Sequence, residues 1–163
     1  MDVYGKKFEA QLKKDWFSVK DAFIYRLKDL MSGYKKITNI SDFIGYMYPY
    51  CFFIEAKTEQ SNTLNFSRIR QYDDLKDAIG YPGINPCIII WFYNKQKVCY
   101  VPFEECVRLK EVLGKKSIHV NMIGDPNYEV YEIPSELKRV FMISDYSILK
   151  KIAEDRFNKL YNN

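Results

Sequence analysis

Seven successive residues, Cys87-Ile88-Ile89-Ile90-Trp91-Phe92-Tyr93, are apolar without a break. A half-exposed strand alternates polar and apolar side chains, and an amphipathic helix repeats its apolar positions at a period of 3.6. A run that does neither, and that turn residues (Asn94 to Gln96) close after strand length, suits a central strand covered on both faces. The rest of the chain must then supply layers to both sides of a sheet.

The flanking segments offer those layers. Tyr4 to Phe17 carries Phe8, Leu12 and Trp16 at helical spacing, with Glu9 and Lys13 at i,i+4, and reads as an amphipathic helix. Phe23 to Lys28 alternates as a strand, and Asp42 to Met47 and Tyr50 to Thr58 form a hairpin joined through Tyr48 and Pro49. Phe66 to Ile79 reads as a helix closed by Gly80 and Pro82, Lys97 to Phe103 as a strand, and Glu104 to Leu113 as a helix ending at Gly114. Ser117 to Ile123 and Glu129 to Ile133 are weaker strands, and Tyr146 to Leu160 a last helix with Ser144 as its cap. Asp29 to Ser41 and Ser61 to Asn65 read as loops. This order predicts an α/β fold with one central mixed β-sheet flanked by helices. With 163 residues and 47% apolar content, one core and a single domain over residues 1–163 are expected.

Several function classes drop out. No apolar stretch approaches the ~20 residues of a membrane span, and Met1 to Lys14 is too charged for a secretory segment, so a cytoplasmic protein with no membrane partner is expected. Cys51, Cys87, Cys99 and Cys106 lack metal-ligand spacing and lie in apolar surroundings, which assigns them to packing. His119 is the only histidine, and no phosphate-binding glycine loop is present, which argues against histidine-centred hydrolysis and nucleotide-driven work. The net charge is +4, and Lys6, Lys7, Lys35, Lys36, Arg68, Arg70, Lys115 and Lys116 form a phosphate track only if folding brings them together.

The hairpin carries the chemistry. Along Tyr50 to Thr58, Cys51, Phe53, Glu55 and Lys57 point one way and Tyr50, Phe52, Ile54 and Ala56 the other. If the hairpin loop is symmetric, facing residues sum to 97 and Asp42 stands opposite Glu55, with β-carbons ~5 Å apart. A two-residue turn is disfavoured because it places Pro49 at an unsuitable position. Two carboxylates this close repel unless a proton or a cation lies between them, and hard oxygen ligands select magnesium or manganese. A nearby ammonium can orient an attacking water. Glu-x-Lys alone equally suits an ion pair in which Lys57 neutralises Glu55.

Asp42-Phe43-Ile44-Gly45-Tyr46, followed by Glu55-Ala56-Lys57-Thr58, resembles the active-site hairpin of RecU-type Holliday junction resolvases, also called penicillin-binding-protein-related factor A. Gly5-Lys6-Lys7-Phe8-Glu9, Asn65-Phe66 with Gln71, and Gly114-Lys115-Lys116-Ser117-Ile118 resemble further family elements in the same order. The likeness covers about Tyr4 to Ile118, leaving 119–163 weakly covered. It implies a restriction-endonuclease-like PD-(D/E)XK fold and a homodimeric, Mg2+-dependent endonuclease, with Mn2+ as a substitute, that nicks two strands of a four-way DNA junction. It further implies Asp42, Glu55 and the Ala56 carbonyl as metal ligands, Lys57 as catalytic lysine, and Glu9 and Gln71 as secondary residues. Read by itself, Glu9 suits a helix partner for Lys13, and Gln71 an exposed helix residue. The family often carries a long stalk before the aspartate; here only Asp29 to Ser41 is available, with Tyr34, Lys35 and Lys36 at its tip as candidate DNA contacts. A nuclease of the same fold acting on linear or single-stranded DNA, and a non-catalytic DNA-binding module, remain as alternatives.

Overall fold

The computed structural model describes residues 3–32 and 35–162, with 30–32 and 35–37 followed by their backbone alone. Its strands are β1 (Ala22–Arg26), β2 (Leu30–Ser32), β3 (Lys35–Ile37), β4 (Phe43–Met47), β5 (Tyr50–Glu59), β6 (Thr63–Asn65), β7 (Ile84–Phe92), β8 (Lys97–Pro102), β9 (Ser117–His119), β10 (Tyr131–Ile133), β11 (Ser135–Lys138) and β12 (Phe141–Ser144). The helices are α1 (Val3–Phe17), α2 (Tyr72–Asp77), α3 (Phe103–Val107) and α4 (Ile148–Tyr161). Six strands form the central sheet in the order β1-β4-β5-β7-β8-β10. Only β5 and β7 run parallel; their neighbours pair antiparallel, so the sheet is mixed as expected.

The apolar run occupies β7, and its alternation explains the two layers. Cys87, Ile89 and Trp91 face a core built with Phe8, Leu12 and Trp16 of α1 and Leu149 and Ile152 of α4. Ile88, Ile90 and Phe92 face a second core with Tyr72 and Leu75 of α2, Phe103 and Cys106 of α3, and Leu64 and Ile118. Every residue from Cys87 to Phe92 is buried, which a strand in a one-sided sheet cannot achieve. Cys87, Cys99 and Cys106 are buried free thiols, in keeping with a packing role, and Cys51 is half-buried.

The hairpin register follows the sum of 97: Phe43 pairs with Ile54, Ile44 with Phe53 and Met47 with Tyr50. The loop is nevertheless the disfavoured two-residue one. Tyr48–Pro49 is a cis peptide bond, the arrangement in which proline can occupy the second central position of a tight turn. Gly45 is needed for helix packing, because a β-carbon there would lie 2.5 Å from the Trp16 ring.

Elsewhere the structure departs from the periodicity. The expected helix 66–79 is a 3-10 turn, Phe66–Arg68, followed by α2, with Ile69 extended between them. Phe66, Ile69, Tyr72 and Leu75 are all buried at a spacing of three, so the apolar pattern runs through a break it cannot register. Helix α3 passes into a π turn, Arg108–Val112. Thr63–Asn65 pairs with Ser117–His119 instead of forming a loop, and Asp29 to Ser41 contains the β2–β3 hairpin. Ser144 ends β12 and caps no helix; α4 starts after Ser147. The Ser144 N–H donates to Asp15 Oδ2 at 2.9 Å, tying α1 to the β11–β12 hairpin, an element absent from the sequence reading.

Candidate active site

Beyond Phe43 the β4–β5 ladder breaks. The Asp42 N–H donates to the Ile54 carbonyl (3.0 Å), while the Asp42 carbonyl accepts from the Leu27 N–H (2.9 Å). The Asp42 side chain turns toward β5, where its Oδ2 accepts from the Ala56 N–H at 2.9 Å. Asp42 therefore sits at the kinked end of its strand, held by main chain from two directions.

Glu55 is buried on β5, with Oε1 2.6 Å from the Lys57 Nζ. Its other oxygen, Oε2, has no hydrogen-bond partner. Burial, with the Asp42 charge second, pushes the Glu55 carboxyl up from the ordinary glutamate range to about 7, although Lys57 opposes this. Burial also raises Asp42, against the lowering effect of the Ala56 N–H and then Lys57. Two neighbouring carboxylates are thus costly to ionise together unless positive charge enters between them.

These residues line a cleft of about 610 Å³ with Gly5, Glu9, Arg26, Thr58, Ser67, Arg68, Arg70 and Gln71 among its walls. Glu9 reaches it from α1, but its partner is Arg26, not Lys13: the Arg26 Nε lies 2.6 Å from Glu9 Oε2. Burial raises the Glu9 carboxyl despite that arginine. Arg26 also covers the Phe43 ring at 5.6 Å. Arg26 was not among the expected site residues, although a signal existed. It shares a strand face with Ala22 and Ile24, and an arginine on a buried face calls for an acidic partner. Gln71 lies in the break before α2, where its Oε1 is buried without a hydrogen-bond partner.

The basic residues divide. Arg68 and Arg70 line the cleft, and Arg68 pairs with Glu59 while its Nη2 reaches the Thr58 carbonyl at 3.4 Å. Lys6 and Lys7 are exposed on α1, adjacent to the cleft residue Gly5 but outside its lining. Lys116 is exposed and its carbonyl accepts from the Phe66 N–H, whereas Lys115 is half-buried with its Nζ 5.9 Å from the Tyr128 ring centroid. Neither lines the cleft. Tyr34 lies outside the described residues, and for Lys35 and Lys36 only their place on β3 is known.

The donor set fits a hard divalent cation of a particular kind. Among the described residues no three Asp, Glu, His or Cys side chains converge into a metal cage. Two carboxylates are what magnesium commonly takes from a protein, since it retains several waters and shares phosphate oxygens with its substrate. The unpartnered Glu55 Oε2 leaves one buried acceptor open to such an ion.

Comparison with known proteins gives the chain its family. The chain matches the family described as RecU, recombination protein U, over residues 2–145. It is 28% identical over 175 aligned positions to the SPbeta prophage-derived uncharacterized protein YotM of Bacillus subtilis (strain 168), covering 95% of this chain and 87% of that protein. Among solved structures it is similar to Archaeoglobus fulgidus Hjc, a Holliday junction resolvase from an archaeal hyperthermophile. There the TM-score is 0.49 at 14% identity, over 91% of this chain and 99% of the other. No helix among the described residues is long and apolar enough to cross a membrane. The chain belongs to the RecU family of Holliday junction resolvases, nucleases that act on branched DNA and generally use a divalent metal.

Proposed function

We propose that the cleft is the active site of a Mg2+-dependent endonuclease that resolves four-way junctions as a homodimer, with Mn2+ able to replace magnesium. The observation that carries this reading is the half-buried Asp42 beside the buried Glu55, whose carboxylate oxygen Oε2 has no protein partner. Asp42, Glu55 and the Ala56 carbonyl would hold the ion, which supplies Lewis acidity toward the scissile phosphate and a bound water of lowered pKa. The remaining steps belong to this chain. Lys57, 2.6 Å from Glu55, is placed to orient the attacking water and to offset charge gathering on the phosphate oxygens. Gln71, with its unpartnered oxygen, is placed to accept a hydrogen bond from that water. Glu9 is positioned through Arg26 at the cleft wall and acts on the site by its charge.

Arg68 and Arg70 would take the flanking phosphates, with Lys6, Lys7, Tyr34, Lys35, Lys36, Lys115 and Lys116 extending the DNA-binding face. A second reading follows from the β2–β3 hairpin, whose strands are three residues each: so short an element reaches little way into a junction centre, which favours linear or single-stranded DNA as the substrate. The deciding experiment is cleavage of a mobile four-way junction beside matched duplex and single-stranded DNA, with Mg2+, with Mn2+ and with chelator. Metal-dependent, symmetric nicking of the junction is expected, and equal rates on linear duplex would reject the resolvase reading in favour of a general nuclease.

A further inference from the structure

The Asn65-Phe66 and Lys116-Ser117-Ile118 motifs, distant in the chain, meet in the β6–β9 ribbon, where Thr63 pairs with His119, Leu64 with Ile118 and Asn65 with Ser117. The Phe66 N–H prolongs the pairing by donating to the Lys116 carbonyl at 3.0 Å. Leu64 and Ile118 are fully buried. Directly paired residues share a face and side chains alternate along a strand, so Thr63, Asn65, Ser117 and His119 are turned to the opposite, outward side. No carboxylate and no large apolar side chain belongs to these two rows.

Each of the four offers a hydrogen-bond donor, and two of them are locked in orientation. The Asn65 Oδ1 accepts from the Ser67 N–H at 2.9 Å, which leaves the amide NH2 as its outward group. The His119 Nδ1 accepts from the Asn121 N–H at 3.0 Å, so the ring's proton sits on Nε2, a donor turned away from the turn it caps. Among the described residues, the hydroxyls of Thr63 and Ser117 have no hydrogen-bond partner in the protein.

We propose that this outward face is a phosphate platform that takes the DNA backbone leaving the cleft and holds it through neutral hydrogen bonds. The proposal rests on the nuclease reading above for the presence of DNA in the cleft. Four observations select this occupant. Hydroxyls and side-chain amides are among the groups that carry most phosphate and sugar contacts. The two rows stand ~7 Å apart, two residues along a strand, which is comparable with the spacing of successive phosphates on a DNA strand. The exposed cations Arg68 and Lys116 flank the face, while Glu59, the carboxylate beside Arg68, is already engaged by that arginine and by the Ser61 hydroxyl. The ribbon is also continuous with the cleft, because the Ser67 held by Asn65 is one of the cleft's wall residues. A protein partner would instead call for an apolar centre, which these rows lack.

The test uses the full chain with Thr63→Val and Ser117→Ala, singly and together, binding a fluorescent four-way junction in chelator. Valine keeps the shape of threonine and neither hydroxyl has an internal partner, so circular dichroism melting should stay at the wild-type value. Asn65 and His119 are left in place because each also fixes a turn. The double variant should raise the junction Kd about 10-fold. Its log–log salt slope should not change, since a neutral donor displaces no counterion, whereas Arg68→Ala should lower affinity and flatten the slope together. Thr63→Ser should bind as wild type. With Mg2+ the double variant should cut saturating junction at the wild-type rate, the loss appearing in KM. An unchanged Kd in the double variant, or a loss that comes with a flattened slope, would overturn the platform. A wild type that binds the junction and never cuts, with the double variant binding more weakly, would leave the platform standing and remove the nuclease reading. A wild type that cuts, with affinity untouched by the double substitution, would do the reverse.

Discussion

Glu55 sets the behaviour of the site at the scale of single residues. Its carboxyl titrates near 7 because burial and Asp42 disfavour its charge, so in the metal-free protein the folded state holds a proton that the unfolded chain, titrating near 4.5, has already released. A raised acid of this kind supports folding below its unfolded pKa and loses that support as pH rises through the folded one. Chelated protein should therefore lose about 1–3 kcal/mol between roughly pH 4.5 and 8 through this group. Comparing urea unfolding of wild type with Glu55→Gln across that range isolates the contribution, because the amide cannot ionise. Metal affinity should run the other way, rising toward pH 7 as the proton leaves, which calorimetry can follow. For catalysis, Asp42→Asn and Glu55→Gln should each abolish metal-dependent cleavage while junction binding in a gel-shift assay survives. Lys57→Ala should lower turnover by at least about 100-fold with metal affinity largely kept, as the proposed action of its ammonium on water and phosphate requires. The grouping of Asp42, Glu55 and Lys57 was legible because strand alternation and hairpin parity are local rules. The partner of Arg26 was not, because Glu9 lies seventeen residues away on a helix whose docking the sequence does not state.

Between elements, two contacts fix where α1 docks, one against β4 and one against the end of β12. Gly45 admits the Trp16 ring, and Gly45→Ala should destabilise the fold by about 1–3 kcal/mol through overpacking, since a fully buried indole has little room to yield. Asp15 is buried, accepts from Gln11 at 2.6 Å and from the Ser144 N–H at 2.9 Å, and burial raises its carboxyl. Asp15→Ala leaves that N–H without its partner and should cost about 1–3 kcal/mol by chemical denaturation. This bond joins residues 129 positions apart, which explains why the β11–β12 hairpin and the true start of α4 escaped a reading based on local pattern. Ser144 before an amphipathic segment looks like a cap, but its hydroxyl is paired with the Ser135 hydroxyl at 2.9 Å across the β11–β12 hairpin and the helix begins only after Ser147. The break at Ile69 escaped for the opposite reason, its spacing of three being indistinguishable from a helix.

For the molecule as a whole, a divalent ion held as proposed would bind a site that only the folded chain assembles. Magnesium or manganese should therefore raise the melting temperature of wild type in a concentration-dependent way, with no effect on Asp42→Asn. Scanning calorimetry at several metal concentrations would check this. Affinity for junction DNA should fall steeply with salt, and removing Arg68 and Arg70 together should flatten the log–log slope by roughly two, as expected if both neutralise phosphates. The long parallel register of β5 against β7, running from Cys51–Ile84 to Glu59–Phe92, has a consequence in time rather than in space. Amides along these two strands should be the slowest in the protein to exchange with deuterated water, since they open only when the whole molecule does. Those of Ser67, Arg68 and Arg70, exposed on the short connection before α2, should exchange early. The cleft would then pair a floor that persists for the lifetime of the fold with a wall that renews its contacts many times within it, so substrate can come and go without disturbing the carboxylates beneath.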